Sequence, residues 1–371
     1  MKILLTGGHL TPALALIDYL KVHLPEAELV FVGREYAQSN RQKAHERTEV
    51  QERNVPFFPI HSGKLGFANP VQLIGQSFRI IAATITSFVI LLKLKPDICV
   101  SFGSYLAVPV TLAAWVLRIP VLTHEQTKTA GFANRVIGLM AKKIAIAYPE
   151  SVPFFPRKKT LLTGNLVRER VLTQSNTKPE WITNKTVLPI LYITGGSQGS
   201  EIINSTISQS LKRLLKGWCI IHQCGNPSAH RDYAAELRLS AAQLPSSLQQ
   251  RYYVREWISD SDLAWIYTHA TAIISRAGAN SVEEIALRGI PAILIPLPFS
   301  LRDEQLHNAL ALSEKGQAML LPQKDLNPET LLLTISQLTK KSRSIKESLS
   351  DYVSDSKTAL PTVTKLITEI V

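Results

Sequence analysis

The chain has 371 residues, which indicates about two domains, and 45% of the residues are hydrophobic, enough to build real cores. The formal net charge of +12 predicts anionic partners, namely a nucleotide, an acidic membrane surface or nucleic acid. Nucleic acid is excluded, because the sequence has no helix-turn-helix, zinc or aromatic RNA-binding signature. Cys99, Cys219 and Cys224 match no zinc or disulfide pattern, so they are predicted to be reduced core thiols of a cytoplasmic protein.

The first half of the chain alternates apolar runs with helical patterns, which predicts a parallel sheet covered on both faces. No signal peptide is predicted, because the chain begins directly with a strand. The apolar run Ile80–Leu92 is shorter than the ~20 residues that a spanning helix needs, and predicts a buried or interfacial helix. The predicted strands are Lys2–Leu5, Glu28–Val32, Phe57–Ile60, Ile98–Ser101, Pro120–Thr123 and Lys143–Ala147, and the predicted helices are 12–22, 71–94, 106–117 and 130–141.

A basic, proline-rich connector at Pro149–Lys159 separates this half from a second run of the same alternation. We therefore predict two Rossmann-like α/β domains, at 1–160 and 161–351, with a final helix at about 352–371 that can pack back on the first. Open α/β sheets bind ligands beyond the carboxyl ends of their strands, so we expect a ligand cleft between the domains. The predicted strands here are 188–193, 219–222, 252–254, 271–275, 292–296 and 318–321; the predicted helices are 201–215 and a final segment at about 346–371.

Two glycine-rich loops each lie between a predicted strand and a predicted helix. The first, 6–9 (TGGH), has backbone amides that can hold an anion, with Thr11 as the expected N-cap and Pro12 as the first helical residue. The second, 195–200 (GGSQGS), lets the backbone approach a pyrophosphate closely, and Ser197 adds a hydroxyl. The alternative for both loops is a tight turn that binds nothing.

The stretch Ala272–Gly289 carries the clearest pattern for nucleotide binding. An apolar run ends in a small-residue loop, 276–279 (RAGA), which opens a helix predicted to carry Glu283 and Glu284 in its first turn. Bare amides at a helix N-terminus favour phosphate, and a carboxylate there can accept hydrogen bonds from ribose. The alternative is a capping box from Ser281 to Glu284, in which the glutamate only satisfies the helix end.

Several segments together resemble one family, the MurG family of GT-B glycosyltransferases, in the right order from position 6 to position 309. The resemblance implies a GT-B fold, with two Rossmann-like domains facing a central cleft. It also implies transfer of N-acetylglucosamine, with inversion, from UDP-GlcNAc to the C4 hydroxyl of the muramyl sugar of lipid I. The product would be lipid II for peptidoglycan. The matching segments are 6–15 (TGGHLTPALA), 124–126 (HEQ), 130–134 (AGFAN), 164–168 (GNLVR), 195–200, 276–284 and 305–309 (QLHNA).

The same resemblance implies roles for individual residues. Glu284 would bind the ribose hydroxyls, the backbone at Ile258 would read uracil, and Gln305 would contact the donor sugar. The alternative interpretations are a helix cap for Glu284, a core isoleucine for Ile258 and a helix-surface amide for Gln305. The full implied donor side is Thr6, Gly7, Gly8, Thr127, Arg168, Ser197, Ile258, Ala279, Asn280, Ser281, Val282, Glu283, Glu284 and Gln305, and the implied acceptor side is His124, Glu125, Gln126 and Asn134.

His9 is the candidate general base, in the family's position after the double glycine. A sugar hydroxyl must lose its proton as it attacks an anomeric carbon, and an imidazole that titrates near neutral pH suits that task. Its alternative is an exposed loop histidine. Helix N-termini and Arg168 are expected to stabilise the departing diphosphate, so neither a metal nor a cofactor is predicted. The TGGH loop is shorter than in the family, which predicts a different shape of the acceptor-phosphate pocket. Thr127 stands where the family usually has asparagine, which predicts that sugar contacts are altered there or are made by Lys128 or Asn134.

The expected partners are UDP-GlcNAc, lipid I and an anionic membrane surface, with the protein peripheral on the cytoplasmic face of the membrane. Lys64, Leu65 and Phe67, followed by Val71–Arg79, mix basic and apolar residues in the way a peripheral protein sits on lipid. A core helix with charged ends is the alternative. Three rival functions stay open: a glycosyltransferase with a diacylglycerol acceptor, a nucleotide-sugar isomerase on the same fold, and a non-catalytic UDP-sugar-binding protein.

Overall fold

The computed structural model describes residues 1–34, 45–63, 70–183, 187–196, 198–226, 231–300 and 303–371. The chain forms two compact units. The first comprises Met1–Arg168 and Ser354–Val371, and the second comprises Glu169–Val353. The polypeptide therefore completes most of the first unit, builds the second, and returns to the first with its last helix.

The first unit is built on a parallel sheet whose order, within the described residues, is β3-β2-β1-β4-β5-β6-β7. Its central strands are continuous aliphatic runs, and Ile3, Leu4 and Leu5 are fully buried because helices cover both faces of the sheet. The strands are β1 (Lys2–Thr6), β2 (Glu28–Arg34), β3 (Phe57–Ile60), β4 (Ile98–Ser101), β5 (Val121–Glu125), β6 (Lys143–Ile146) and β7 (Thr160–Leu162). The helices are α1 (Leu10–His23), α2 (His45–Glu52), α3 (Pro70–Leu94), α4 (Ser104–Val116), α5 (Phe132–Met140) and the returning helix α14 (Ala359–Ile370).

The second unit repeats the plan with a parallel sheet of order β10-β9-β8-β11-β12-β13, within the described residues. Its core combines the aliphatic strands with the inner faces of the helices around them. The strands are β8 (Ile190–Thr194), β9 (Cys219–Gln223), β10 (Tyr252–Arg255), β11 (Ala270–Ser275), β12 (Ala292–Leu294) and β13 (Met319–Leu320). The helices are α6 (Glu169–Leu172), α7 (Glu201–Leu214), α8 (Tyr233–Ala242), α9 (Ser246–Gln249), α10 (Asp260–His269), α11 (Ala279–Leu287), α12 (Glu304–Ser313) and α13 (Pro328–Ser350).

The prediction of two Rossmann-like α/β domains is confirmed, and most predicted strands lie within a residue or two of their observed positions. The sequence pattern missed β7 and the polar helix α2. It was also wrong about a continuous final helical segment from about 346. The chain leaves α13 at Ser350, makes a short 3₁₀ turn at Asp355–Lys357, and starts α14 at Ala359. The connector Pro149–Lys159 forms two short 3₁₀ helices, at Pro149–Phe154 and Arg157–Lys159.

Each sheet has a point where the strand order reverses direction, and ligands of open α/β sheets bind beyond the carboxyl ends of the strands there. In the first unit this point lies between β1 and β4, and in the second between β8 and β11. The loops after these strands include TGGH, GGSQGS and RAGA. The topology therefore brings the predicted glycine loops to the places where such folds hold ligands.

The three cysteines are free and buried, as predicted, and burial raises the pKa of Cys99 to about 12. The long apolar helix α3 begins at Pro70 and ends at Leu94. None of the helices in the described part of the chain combines the length and apolar character needed to cross a bilayer.

Candidate active site

The loop after β1 is shaped by close packing against the loop after β4. Gly7 has a φ of +141°, and a Cβ there would stand 2.9 Å from the backbone of Phe102. A Cβ on Gly8 would stand 2.5 Å from Oγ of Ser104. Glycine is needed at both positions for steric reasons, and these two residues bring the next residue, His9, to the reversal point of the sheet.

Helix α1 begins one residue after His9, which corrects the prediction of Thr11 as N-cap and Pro12 as first helical residue. Leu10 is the first helical residue, and His9 is the N-cap with φ −92° and ψ 93°. The His9 side chain makes no capping hydrogen bond. Its imidazole contacts another side chain instead.

The partner of the His9 ring is Gln126, directly after β5. Nε2 of Gln126 lies 2.8 Å from Nδ1 of His9, and both side chains are partly buried. Burial lowers the pKa of His9 from its ordinary value, and the nearby carboxylate of Glu125 opposes that change. At neutral pH this favours a neutral imidazole beside a negative charge that can stabilise its protonated form.

Glu125 is buried and held by a network of its own. Oε1 accepts a hydrogen bond of 3.0 Å from the backbone N–H of Thr127 and lies 2.7 Å from Oγ1 of the same residue. Oε2 accepts a bond of 2.9 Å from Nδ2 of Asn134. Oδ1 of Asn134 in turn accepts a bond of 2.7 Å from Thr123. The polar atoms of Thr127 and Asn134 thus fix the Glu125 carboxylate, a role that the sequence reasoning did not give them.

His124 precedes this pair and is almost completely buried. Its Nε2 lies 3.2 Å from the carbonyl oxygen of Gly164. Burial and, to a smaller extent, the proximity of His9 lower the pKa of His124 to about 4, although the hydrogen bond with Gly164 opposes the change, so the ring is neutral at physiological pH. His124 therefore connects strand β5 to the segment that leads to Arg168.

That segment, Gly164–Arg168, packs against the returning end of the chain. A Cβ on Gly164, which has a φ of +82°, would stand 2.3 Å from the backbone nitrogen of Ser356. The backbone N–H of Asn165 donates a bond of 2.9 Å to Oγ of Ser356. Arg168 is partly buried and is the last residue of this part of the first unit.

In the second unit, the loop 195–200 follows β8 and leads into α7. Gly196 and Gly199 have φ of +85° and +72°, conformations that favour glycine. A Cβ on Gly199 would stand 2.0 Å from the carbonyl oxygen of Cys224, so this loop is also pressed against its neighbour. Ser197, the predicted phosphate contact, lies outside the described residues.

Arg276, in the RAGA loop after β11, is the functional candidate that sequence reasoning missed. Its guanidinium donates to the carbonyl oxygens of Ile295 and Pro296, to Oγ of Ser200 and to Oε1 of Gln323. These partners are neutral, so the positive charge remains available. Burial lowers the pKa of Arg276 to about 10, which leaves it protonated at neutral pH. An arginine directly after a buried strand was the signal that could have identified it.

Helix α11 starts earlier than the sequence pattern suggested, which corrects one prediction and removes one alternative. Its N-cap is Gly278 and its first residue is Ala279, so Glu283 and Glu284 follow the first turn and the Ser281-to-Glu284 capping box does not form. Both carboxylates are buried, and Oε2 of Glu283 accepts a bond of 2.9 Å from the hydroxyl of Tyr352.

The backbone amides of the first turn of α11, at Ala279, Asn280 and Ser281, lack an acceptor within the helix, as at any helix N-terminus. Val282 donates to Gly278, the first bond of the helix.

The remaining predicted donor contacts lie in the same unit. Oε1 of Gln305 accepts a bond of 3.0 Å from the backbone N–H of Leu297, which fixes the loop after β12. Ile258 is buried, and it lies between β10 and α10. Asn308 donates to the carbonyl oxygen of Ala277 and supports the RAGA loop at 3.1 Å. Within the part of the chain that the structure describes, no three His, Cys, Asp or Glu side chains form a metal-binding group.

Comparisons with known proteins match both units. Residues 6–146 match the N-terminal domain of glycosyltransferase family 28, and residues 190–360 match its C-terminal domain. A Bacillus cereus UDP-N-acetylglucosamine–N-acetylmuramyl-(pentapeptide) pyrophosphoryl-undecaprenol N-acetylglucosamine transferase is 31% identical over 375 residues, covering 99% of each chain.

Solved structures agree. The crystal structure of Acinetobacter baumannii MurG matches with a TM-score of 0.68 and 28% identity, covering 99% of each chain. A Neisseria meningitidis UDP-GlcNAc 2-epimerase bound to UDP-GlcNAc matches with a TM-score of 0.59 and 14% identity over the whole of both chains, a likeness of fold alone. The predicted GT-B class is thereby confirmed. The chain belongs to the MurG family within glycosyltransferase family 28 and is a glycosyltransferase.

Proposed function

We propose that this protein transfers N-acetylglucosamine from UDP-GlcNAc to the C4 hydroxyl of the muramyl sugar of lipid I, with inversion. The family membership supports the reaction class and both substrates. The observation that carries the chemistry is the His9 imidazole beside the buried Glu125 carboxylate, at the reversal point of the first sheet.

In this proposal His9 is the general base. As the acceptor oxygen forms its bond to the anomeric carbon, its proton passes to His9, and the bond from that carbon to the diphosphate breaks to release UDP. Glu125 favours the imidazolium that results, since an opposite charge nearby stabilises the protonated ring. A base of this kind contributes about 10²–10⁴-fold to the rate.

The second unit would hold the donor. The N-terminal amides of α11 and α7 offer positive dipole ends to a diphosphate, and the protonated Arg276 lies at the loops that precede both helices. Glu284 is assigned to the ribose and Gln305 to the sugar. Arg168, in the first unit, is assigned to the diphosphate as well. The groups of the second unit would help to neutralise the leaving UDP without a metal ion.

We also propose that the protein is peripheral to the cytoplasmic face of the membrane. Lys64, Leu65 and Phe67 lie outside the described residues, so the support comes from α3 and its neighbours. Along α3, large apolar side chains recur every three or four residues and form one exposed face, with each side chain more than half exposed: Phe78, Ile81, Ile85, Val89 and Leu92.

The helix next to α3 also exposes large apolar side chains. α4 packs beside both α3 and α5, and it exposes Trp115 and Val116 near its end. None of the three helices contains an aspartate or glutamate, while Arg79 and Lys93 of α3 are exposed. Apolar side chains among basic ones suit a surface that lies on anionic lipid.

Turnover assays separate this proposal from its rivals. We expect UDP release from UDP-GlcNAc only in the presence of a lipid I analogue, with a disaccharide product. Release of UDP without any acceptor would favour the isomerase, and product with diacylglycerol in place of lipid I would favour the other lipid acceptor. UDP binding without turnover under all conditions would favour a non-catalytic UDP-sugar-binding protein.

A further inference from the structure

We propose that Gln126 is a positioning residue that sets the tautomer of His9. In the working enzyme its Oε1 accepts a hydrogen bond from Nδ1–H of His9, so that Nε2 of the ring is bare and can take the acceptor proton. This inference rests on the proposed role of His9 as the base.

The geometry limits His9 to one reactive nitrogen. Gln126 lies 2.8 Å from Nδ1, and that contact occupies one side of the ring. Only Nε2 can then exchange a proton with a substrate. A neutral imidazole carries a single N–H, so Nε2 is a base only when the proton is on Nδ1.

The orientation of the Gln126 amide decides between the two tautomers. With its Nε2 toward His9, the amide donates to Nδ1, which forces the ring proton onto the reactive nitrogen and removes the base. With its oxygen toward His9, the amide accepts from Nδ1–H. The heavy atoms occupy almost the same places in both orientations, because amide nitrogen and oxygen have nearly the same shape.

The reaction itself selects the second orientation. Once His9 has taken a proton, both ring nitrogens carry hydrogen, and an amide N–H₂ at 2.8 Å from Nδ1 would bring two donors together. Only Oε1 can serve both the neutral base and the imidazolium. In the first orientation, Oε1 of Gln126 is buried and has no hydrogen-bond partner among the described residues, so rotation of the amide breaks no hydrogen bond on that side.

Glu125 does not take this place, although a carboxylate often orients a catalytic histidine. Its two oxygens accept from Thr127 and Asn134, and the contact at Nδ1 of His9 is made by Gln126. The charged and titratable groups that act on His9 are Glu125 and, on the same strand, His124. A neutral amide on Nδ1 fixes the tautomer without adding a second negative charge, and so keeps the base unprotonated at neutral pH.

Two substitutions test this role. Gln126→Leu removes the acceptor, and we expect kcat to fall at least about tenfold with an unchanged donor KM. The loss should not exceed the contribution of the base itself, about 10²–10⁴-fold. Gln126→Glu restores an acceptor but adds charge, so we expect it to recover much of the activity. Its carboxylate raises the pKa of His9, and a base must be unprotonated, so the acidic limb of the rate profile moves to higher pH. The exposed Gln209→Leu variant is the matched control.

The tautomer can be observed directly in the unmodified protein. The ¹⁵N shifts of the His9 ring, assigned by loss of its signals in His9→Gln, should place the proton on Nδ1, and Gln126→Leu should lose that preference. A proton on Nε2 in the unmodified protein would overturn the inference. Normal kcat and an unshifted pH profile in both Gln126 variants would also overturn it, provided that His9→Ala is inactive. If His9→Ala itself turns over normally, the base assignment fails instead.

Discussion

Nη2 of Arg276 donates a hydrogen bond of 2.7 Å to Oγ of Ser200, and this bond joins two loops that follow different strands of the second sheet. The same guanidinium holds the carbonyl oxygens of Ile295 and Pro296, at the end of a third strand. One buried cation therefore fixes three loops, two of which precede the helix N-termini proposed to hold the donor diphosphate.

We expect Arg276→Lys to lower both stability and UDP affinity, although it keeps the charge. Lysine cannot reproduce the planar fork, and each buried acceptor left without a donor costs about 1–3 kcal/mol. Urea unfolding and titration with UDP would measure the two effects. Arg213→Lys, which changes an exposed arginine paired with Glu329, is the matched control. Equal stability and UDP affinity in both variants would contradict the role of Arg276.

We expect His9→Ala to slow transfer by about 10²–10⁴-fold, the usual worth of a general base, and to leave UDP binding nearly unchanged. Single-turnover rates at saturating donor would separate the chemical step from binding. His23→Ala, at the far end of the same helix, is the control for general effects on α1. Turnover near the unmodified rate in purified His9→Ala would remove His9 from the mechanism.

Glu283 and Glu284 are adjacent and both buried, but we expect different effects from their replacement by glutamine. Glu284→Gln should raise the donor KM by roughly 10–100-fold, because hydrogen bonds to a charged group contribute about 1.5–3 kcal/mol. Glu283→Gln weakens the bond with Tyr352 and should lower the melting temperature with an unchanged donor KM. Steady-state kinetics and thermal unfolding of the pair would test this. A change in stability alone at Glu284 would favour a structural role.

The second unit should lose stability in mild acid through His222. Its Nδ1 lies 2.8 Å from the hydroxyl of Tyr252 and its Nε2 lies 3.0 Å from Oδ1 of Asn204, and burial lowers its pKa to about 3. The unfolded chain binds the proton near pH 6.5, so the stabilisation is complete above that pH and is lost as the pH falls toward 3. Urea unfolding at several pH values should show a smaller slope for His222→Gln. Equal slopes would contradict the assignment.

We expect the apolar face of α3 to bind anionic lipid. The double variant Ile85→Ser and Val89→Ser should bind vesicles more weakly, whereas Leu239→Ser, an equally exposed position in the second unit, should not. High salt should release part of the protein, because charge is screened over ~8 Å at physiological ionic strength while apolar contacts persist. Vesicle sedimentation measures both effects. Failure to bind anionic vesicles at any salt concentration would contradict the proposal.

The sequence predicted the sheets well, because runs such as Ile98–Ser101 and Ala270–Ser275 are short, aliphatic and bounded by turn residues. It predicted helix starts poorly. Thr11 and Ser281 are good capping residues, but close packing of Gly7 and Gly8 and the extended backbone at Gly278 start both helices earlier. At Gly7 and Gly8 the start depends on contacts with Phe102 and Ser104, which lie far along the chain and which local pattern does not contain.

The glycine loops were identified because their composition is unusual, whereas the contacts that organise the site were not. The bond between Gln126 and His9 spans 117 positions, and the bond from Arg276 to Ser200 spans 76. The sequence around Gln126 and around Arg276 does not indicate which distant side chain each of them contacts. Thr127 and Asn134, which fix Glu125, were predicted to bind substrates instead, because threonine and asparagine side chains can do either.

The return of α14 to the first unit has a consequence for synthesis on the ribosome. Ala359, Leu360, Val363 and Ile367 complete the core that β1 and α1 begin. These residues emerge only after the whole second unit has been made. The amino-terminal half therefore keeps the apolar face that α14 will cover exposed while the second unit is made. Nascent-chain chaperones have their longest opportunity to bind at that face.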